Sequence, residues 1–464
     1  MAALLATVTL ISAMALVQPS DRTAHNVLYQ GGVALNSNGK MTIVEAGADP
    51  NFLPGTRVID PGPDETQEAA EKLAEESRQW LASGDIPQEY PEMATTALLD
   101  LHTMTVSSGG VIAGPSAAWR YVWPRDASFV AAAYAATGHL EDAVGVLDFL
   151  QQVQAPDGSF HARYLPDGSG VPDNRGLQTD GTAWTLWSLQ RVLTAAETAQ
   201  ATGSPGAAAQ ETHTSTTTSA EQGGSAVSGS AGYRPAQLRE RFEPLLNRSV
   251  TYLMSQTSTP DHLPLPSADY WERPESRVTL GTAAPVLAGL ESAEQIYRGA
   301  GGDDGAARLG ERTDELRSAI VAAFGSSGYG RYPGRTARDS AVAFTLAPFL
   351  TDPLPGALSA WQDSIPAMQR PGGGLAPGEA WAETSMSWTP ETALYAWAAA
   401  ANDQPERARA LLDWIESHRT SIGAIPEKVG PDGSPAHVAP LAWSDALVLL
   451  TLTELESTGE QSAG

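Results

Sequence analysis

The chain contains no cysteine among its 464 residues. Structural disulfides, thiolate nucleophiles and cysteine-ligated zinc are therefore excluded. Lysine is nearly as scarce: Lys40, Lys72 and Lys428 are the only three, and arginine supplies the other basic residues. In all, 28 basic residues stand against 54 acidic ones, a formal net charge of −26. A chain so short of positive charge is poorly equipped to neutralise nucleic-acid phosphates or to bind anionic lipid surfaces. A neutral ligand such as a sugar is not repelled, and the excess charge otherwise serves solubility. The eight histidines show no His-Glu-x-x-His pattern or other metal-ligand spacing, so no metal site is expected.

Apolar residues make up 42% of the chain, enough for a real core, and the length suits one large domain or two to three ordinary ones. Residues 1–18 are almost wholly apolar, and Ala13-Met14-Ala15 fits a signal-peptidase site, although the usual basic start is missing. The expectation is export, to the extracellular space or the outer face of the membrane, with residues 1–20 a cleaved signal or a short anchor. A buried helix is the structural alternative.

Residues 21–89 read as an N-terminal hairpin and helix. Val33-Ala34-Leu35 and Met41-Thr42-Ile43-Val44 flank Asn36-Ser37-Asn38-Gly39, a hairpin signal, and 64–84 reads as a polar helix. From 90 to 458 the apolar spacing is helical almost throughout. Candidate helices cover 91–106, 126–137, 139–154, 180–202, 235–256, 280–299, 305–324, 338–350, 355–368, 388–402, 404–419 and 439–457. Several open on Asp, Ser or Pro and stop at Gly. About twelve helices with motifs between them suggest an all-α toroid of six helical hairpins, preceded by the short segment with its β-hairpin; no fixed-period repeat argues for an open stack. Residues 203–232 are low in complexity and are expected to be a disordered surface insertion, and 459–464 a flexible tail.

Two glutamates stand in informative contexts. Glu272 closes Asp269-Tyr270-Trp271-Glu272, a loop that follows Pro264 and Pro266. Glu427 lies in Ile425-Pro426-Glu427-Lys428, ahead of Leu441-Ala442-Trp443-Ser444. Far upstream is Trp123-Pro124-Arg125-Asp126. Two carboxylates framed by Trp, Arg and Asp suit glycosidic cleavage, where one acid protonates the leaving oxygen and the other acts on the opposite face of the sugar. Trp271, by shielding Glu272 from water, would keep it a proton donor near neutrality. Arg125 and Asp126 can grip vicinal hydroxyls, but Asp126 also suits a plain helix cap. Gln178-Thr179-Asp180-Gly181 reads either as a pocket rim or as a helix start with Trp184 and Trp187 in the core. Arg335, in Gly334-Arg335-Thr336-Ala337-Arg338-Asp339, reads as a sugar ligand or an exposed cap, and Lys428 beside Glu427 as a surface ion pair of little weight. Trp123, Trp184, Trp271, Trp381, Trp388 and Trp443, half of the twelve tryptophans, sit at or near these junctions, whereas core packing alone would favour mid-helix positions.

Taken in order, these motifs resemble those of glycoside hydrolase family 15, the glucoamylase family, over residues 90–457. The resemblance implies an (α/α)6 barrel and an inverting exo-hydrolase that releases glucose from the non-reducing ends of α-glucosides, malto- or isomalto-oligosaccharides among them, without a cofactor. It implies Glu272 as general acid and Glu427 as general base. It implies Trp123, Arg125, Asp126, Asp180, Trp271, Arg335, Trp388 and Trp443 as the substrate-binding set. Inversion expects the two carboxyl groups about 6.5–9.5 Å apart. The chain departs from the family in three places. Arg273 stands where many fungal members have a second Glu, Asn174 and Arg175 occupy the neighbourhood of a Trp, and Lys428 replaces a Gln; all three concern the leaving-group side. Other readings stay open: a trehalase or another toroidal sugar enzyme, phosphorolytic ones included, or a non-catalytic glycan-binding envelope protein on a hydrolase scaffold. The sequence specifies no oligomeric state.

Overall fold

The computed structural model describes residues 27–202 and 233–463; the expected signal or anchor (1–20) and the expected insertion (203–232) lie outside them. The first elements form the hairpin, β1 (Gly32–Leu35) and β2 (Met41–Val44), antiparallel with Gly32 opposite Val44 and Leu35 opposite Met41. Its turn is built as the residues dictate. The Asn36 carboxamide oxygen accepts from the N–H groups of Asn38 and Lys40, and Gly39 takes the positive φ that a side chain would resist. Helix α1 (Gln67–Ala82) follows, with Ala70, Ala74, Ser77 and Leu81 buried along one stripe.

Twelve further helices come next: α2 (Pro91–Met104), α3 (Pro124–Ala136), α4 (Leu140–Val153), α5 (Thr179–Thr202), α6 (Pro235–Arg241), α7 (Glu243–Gln256), α8 (Leu280–Gly299), α9 (Asp303–Phe324), α10 (Ala357–Met368), α11 (Thr389–Ala400), α12 (Pro405–Glu416) and α13 (Ala442–Ala463). They form an (α/α)6 toroid. Contacts run in a closed inner ring from α3 to α5, α8, a 3-10 segment at Ser340–Thr345, α11, α13 and back to α3. The outer layer is amphipathic: α12 buries only Ala408, Leu412 and Ile415, one face of a helix. The inner layer is buried all round, every residue of α11 included. Three expectations need correction. The helix expected over 338–350 is a short 3-10 turn, begun by the Asp339 carboxylate accepting from the Ala341 N–H. The one expected over 235–256 breaks at Phe242 into α6 and α7, where Pro244 opens the second helix. The helix expected over 439–457 spans Ala442–Ala463.

A small antiparallel sheet, β3 (Ser387–Trp388), β4 (Lys428–Val429) and β5 (Pro435–Ala436), ties two of the connections together at one end of the ring. The N-terminal strand region closes on the same place. The Tyr29 N–H donates to the His437 carbonyl, the His437 N–H to Val27, and the Gln30 side chain to the Ala439 carbonyl. No described helix is long and apolar enough to cross a membrane.

Candidate active site

The inner helices deliver their first turns to one end of the toroid. Trp123 precedes α3 in extended backbone and Pro124 opens the helix, which fixes Arg125 and Asp126 in the first turn, both buried. Asp180 sits in the first turn of α5, also buried. The Arg125 guanidinium is the hub. It lies 3.4 Å from Asp126, 3.4 Å from Asp180 and 3.3 Å from Glu272, and 5.2 Å over the Trp443 ring from the first turn of α13. Burial weakens the charge on Arg125, but Asp126, Glu272 and Asp180 outweigh it and raise its pKa. Burial pushes Asp126 up to about 6, against the pull of Arg125 and with help from Glu272 and Glu427. Both glutamates therefore lie close enough to act on the same carboxyl. Burial likewise pushes Asp180 up to about 7, again opposed by Arg125.

Glu272 is held in left-handed backbone, φ 55°, a conformation that costs a non-glycine residue about 1–2 kcal/mol. The turn is maintained by Asp269, fully buried, whose carboxylate accepts from the Trp271 N–H and the Thr279 hydroxyl and pairs with Arg331 at 3.0 Å. Arg331 also pairs with Glu275 and Asp339 and lies 3.7 Å over the Trp271 ring. The second oxygen of Glu272 receives Arg175 at 3.2 Å. From Trp271 an edge-to-face row continues through Trp381 to Trp388, at 4.8 and 5.4 Å. The Lys428 ammonium caps that row 4.0 Å over Trp388 and pairs with Glu383 at 2.8 Å.

Glu427 is clamped by backbone. Its N–H donates to Val438 at 2.8 Å and its carbonyl accepts from Thr389 at 3.0 Å. Its Oε2 lies 3.3 Å from His437 Nδ1 without the geometry of a hydrogen bond. Glu391, buried in the first turn of α11, is pushed up to about 8 by burial, with Glu427 adding to the effect.

Unpartnered buried polar atoms gather here: Asp126 Oδ2, Asp180 Oδ1, Glu427 Oε2, and the indole N–H groups of Trp271, Trp381, Trp388 and Trp443. Native interiors leave few such groups, so a concentration of them marks where a hydroxyl-rich ligand would satisfy them. A groove of about 660 Å³ elsewhere, between Arg57, Thr96 and Arg419, holds none of these residues. Among the described residues no cluster of His, Asp or Glu is arranged to hold a metal ion.

The structure thus brings together Glu272, Arg125, Asp126, Asp180, Trp271 and Trp443. Glu427 joins them through Asp126, and Trp388 lines the far end of the aromatic row. Trp123 packs beside Tyr121, with Arg163 and Arg175 at 5.0 and 5.9 Å from its ring. Arg335 is not brought in. It is exposed, with no side-chain ion pair among the described residues. The arginine buried against Asp339 is Arg331, four residues earlier, because the turn at Tyr332–Arg335 points Arg335 outward. Lys428, read as a surface ion pair, is buried. Sequence reasoning also missed His437 and Glu391. Nothing local marks His437, which the antiparallel pairing of β4 with β5 sets beside Glu427 and which Val27 and Tyr29 bond through the backbone.

The chain matches no family model. An uncharacterised glycosyl hydrolase of Methanocaldococcus jannaschii is 33% identical over 95 residues, covering 20% of this chain and 15% of that protein. The chain thus spans under a sixth of that relative's length. Among solved structures, a glycosidase variant in complex with glucose superposes with TM-score 0.59 at 21% identity, over 79% of this chain and 96% of its own. A glucoamylase from Saccharomycopsis fibuligera gives TM-score 0.56 at 16% identity, over 89% and 98%. A bacterial glucoamylase complexed with acarbose gives TM-score 0.62 at 16% identity, over 85% and 60%. The chain has the glucoamylase fold, with its motif residues other than Arg335 gathered at one end of the toroid.

Proposed function

We propose that the protein is a glycoside hydrolase that releases glucose from the non-reducing ends of α-glucosides with inversion of the anomeric centre. The observation that carries this reading is the Arg125–Asp126–Asp180 hub, ion-paired to Glu272 and surrounded by unpartnered Asp126, Asp180 and Glu427 oxygens. A terminal glucose seated there would offer its hydroxyls to the unpartnered Asp126 and Asp180 oxygens, over the ring of Trp443. Glu272 would give its proton to the glycosidic oxygen as the bond to the anomeric carbon breaks. Glu427 would take a proton from the water that attacks that carbon from the opposite face. The glycosidase and glucoamylase likenesses support the class of reaction, and the order of the motifs supports the assignment of roles. The test is glucose release from maltose, maltotriose, isomaltose, nigerose, trehalose and soluble starch, with the first product followed by proton NMR. Release of β-glucose before mutarotation agrees with the proposal. Initial α-glucose from soluble starch, where every released unit is an attacked one, or no release from any of these substrates by a folded protein, contradicts it.

A further inference from the structure

The three departures from the family pattern meet on one side of the site. Arg175 reaches Glu272 from a loop whose side chain is 40% exposed. Arg273, the next residue after Glu272, is exposed and lies 4.5 Å over Trp381 and 5.7 Å over Trp271. Lys428 stands at the far end of the same tryptophan row. Their pairings differ. Lys428 is neutralised by Glu383. Arg175 shares Asp173 with Arg163, and its other carboxylate is Glu272 itself. Arg273 has no carboxylate partner among the described residues. Arg273 therefore stands as an exposed cation directly beside the proposed proton donor.

Arg175 also touches the outer oxygen of Glu272, the side away from Arg125. A leaving group that receives a proton from Glu272 has to approach that oxygen, so its substituents arrive among Arg175, Arg273 and Trp381. Two guanidinium groups that flank Glu272, Arg175 over Trp123 and Arg273 over Trp381 and Trp271, are the chemistry that recognises a carboxylate or phosphate.

We infer that the leaving-group side is built for an anionic aglycone: the substrate is an α-glucoside whose departing alcohol carries a carboxylate or phosphate, held by Arg175 and Arg273. This rests on the hydrolase reading above. Water adds to the anomeric carbon, the glycosidic bond breaks, and the aglycone leaves as an alcohol with its anionic group unchanged. On arrival the anion draws Arg175 from Glu272, freeing the carboxyl for proton transfer.

The test compares substrates matched except for charge. Maltobionate carries a carboxylate and maltitol is its neutral open-chain counterpart. Trehalose 6-phosphate and trehalose make the phosphate pair. The kcat/KM ratio of charged to neutral substrate is expected to be roughly tenfold or more in at least one pair, and the pair that shows it separates carboxylate from phosphate. Arg273→Ala and Arg175→Ala are each expected to reduce that ratio several-fold. Arg234→Ala, which removes an equal charge at the start of α6, should leave it alone. Equal or lower kcat/KM for both charged substrates overturns the inference, as does a ratio that survives both substitutions. If the parent releases glucose from none of them, the hydrolase reading fails, and calorimetric binding of maltobionate against maltitol then decides the anion site alone. Tighter maltobionate binding that is lost in Arg273→Ala sustains it, and equal binding overturns it.

Discussion

The two glutamates are held in opposite ways. Glu272 sits on a wall of side-chain charge: strained backbone kept in place by Asp269, Asp269 kept by Arg331, and the carboxylate itself between Arg125 and Arg175. Glu427 sits on a wall of backbone: its own N–H and carbonyl are bonded on both sides, in line with a three-stranded sheet. Charge networks tolerate motion, because an ion pair can open and re-form. Backbone ladders do not. A proton donor has to meet leaving groups of different shape, whereas a base has to hold one water in one place. The difference in support matches that difference in task.

The largest effect should come from breaking the two walls chemically. Glu272→Gln and Glu427→Gln are each expected to lower kcat on maltose by roughly 10²–10⁴-fold. On α-glucosyl fluoride, whose leaving group needs little protonation, Glu272→Gln should recover most of the loss and Glu427→Gln almost none. Equal recovery in both variants would mean that the roles are not divided as proposed.

Next comes the support itself. Arg331→Met leaves Asp269, Asp339 and Glu275 without their shared cation, and stranding buried carboxylates costs about 3–5 kcal/mol. The matching change on the other wall, Thr389→Val, removes hydroxyl bonds to the Pro426 carbonyl and Ser444 but leaves the Thr389 N–H on Glu427, a cost of about 1–2 kcal/mol. Thermal unfolding should rank the two variants in that order. A reversed ranking would remove the distinction between a charged wall and a backbone wall.

How far this was legible in the sequence follows the same division. Outer helices such as α12 show their periodicity because one face meets water. Inner helix α11 has no exposed face, and its bounds were readable only from Pro390 and the motif before it. The 3-10 segment at Ser340–Thr345 was misread because six buried, mostly apolar residues look the same in either helix type. Trp271, Glu272 and Arg125 were legible because their neighbours repeat a known pattern. The support of Glu427 was not, since the Val438 carbonyl and the Thr389 N–H reach it across strands of two residues each, too short to show a strand pattern in the sequence.

A smaller effect should appear with pH. Glu391 near Glu427 is pushed up to about 8, and Asp180 near Glu272 to about 7, from ordinary values of 4.5 and 3.8, chiefly by burial. Below pH 4 these acids are protonated in both folded and unfolded chains and cost nothing. As pH rises, the unfolded chain ionises first and gains stability, so the folded state loses ground until the buried acids also ionise. Glu391 alone contributes a loss on the order of 5 kcal/mol across that window. Tm should therefore fall between pH 5 and 8, and Glu391→Gln should flatten the decline. A Tm that rises over the same window, with the Gln variant unchanged, would show that Glu391 is not held neutral beside Glu427.

The smallest effect separates Arg335, which the resemblance implies as a sugar ligand, from Arg331, which the sequence analysis did not single out. Arg331 and Arg335 both precede Asp339 within one short turn, and either could have faced the site. The turn points one inward and the other outward: Arg331 is buried among three carboxylates, while Arg335 is exposed with no ion pair among the described residues. Arg335→Ala removes a solvated charge from a surface turn, so its effect on unfolding should stay within about 0.5 kcal/mol, and kcat/KM on maltose should be unchanged within a factor of two. A tenfold loss of kcat/KM with Tm intact would show that Arg335 swings in when substrate binds. The charged wall would then be incomplete without the sugar, and its contrast with the backbone wall sharper still: one wall assembled by the ligand, the other already in place.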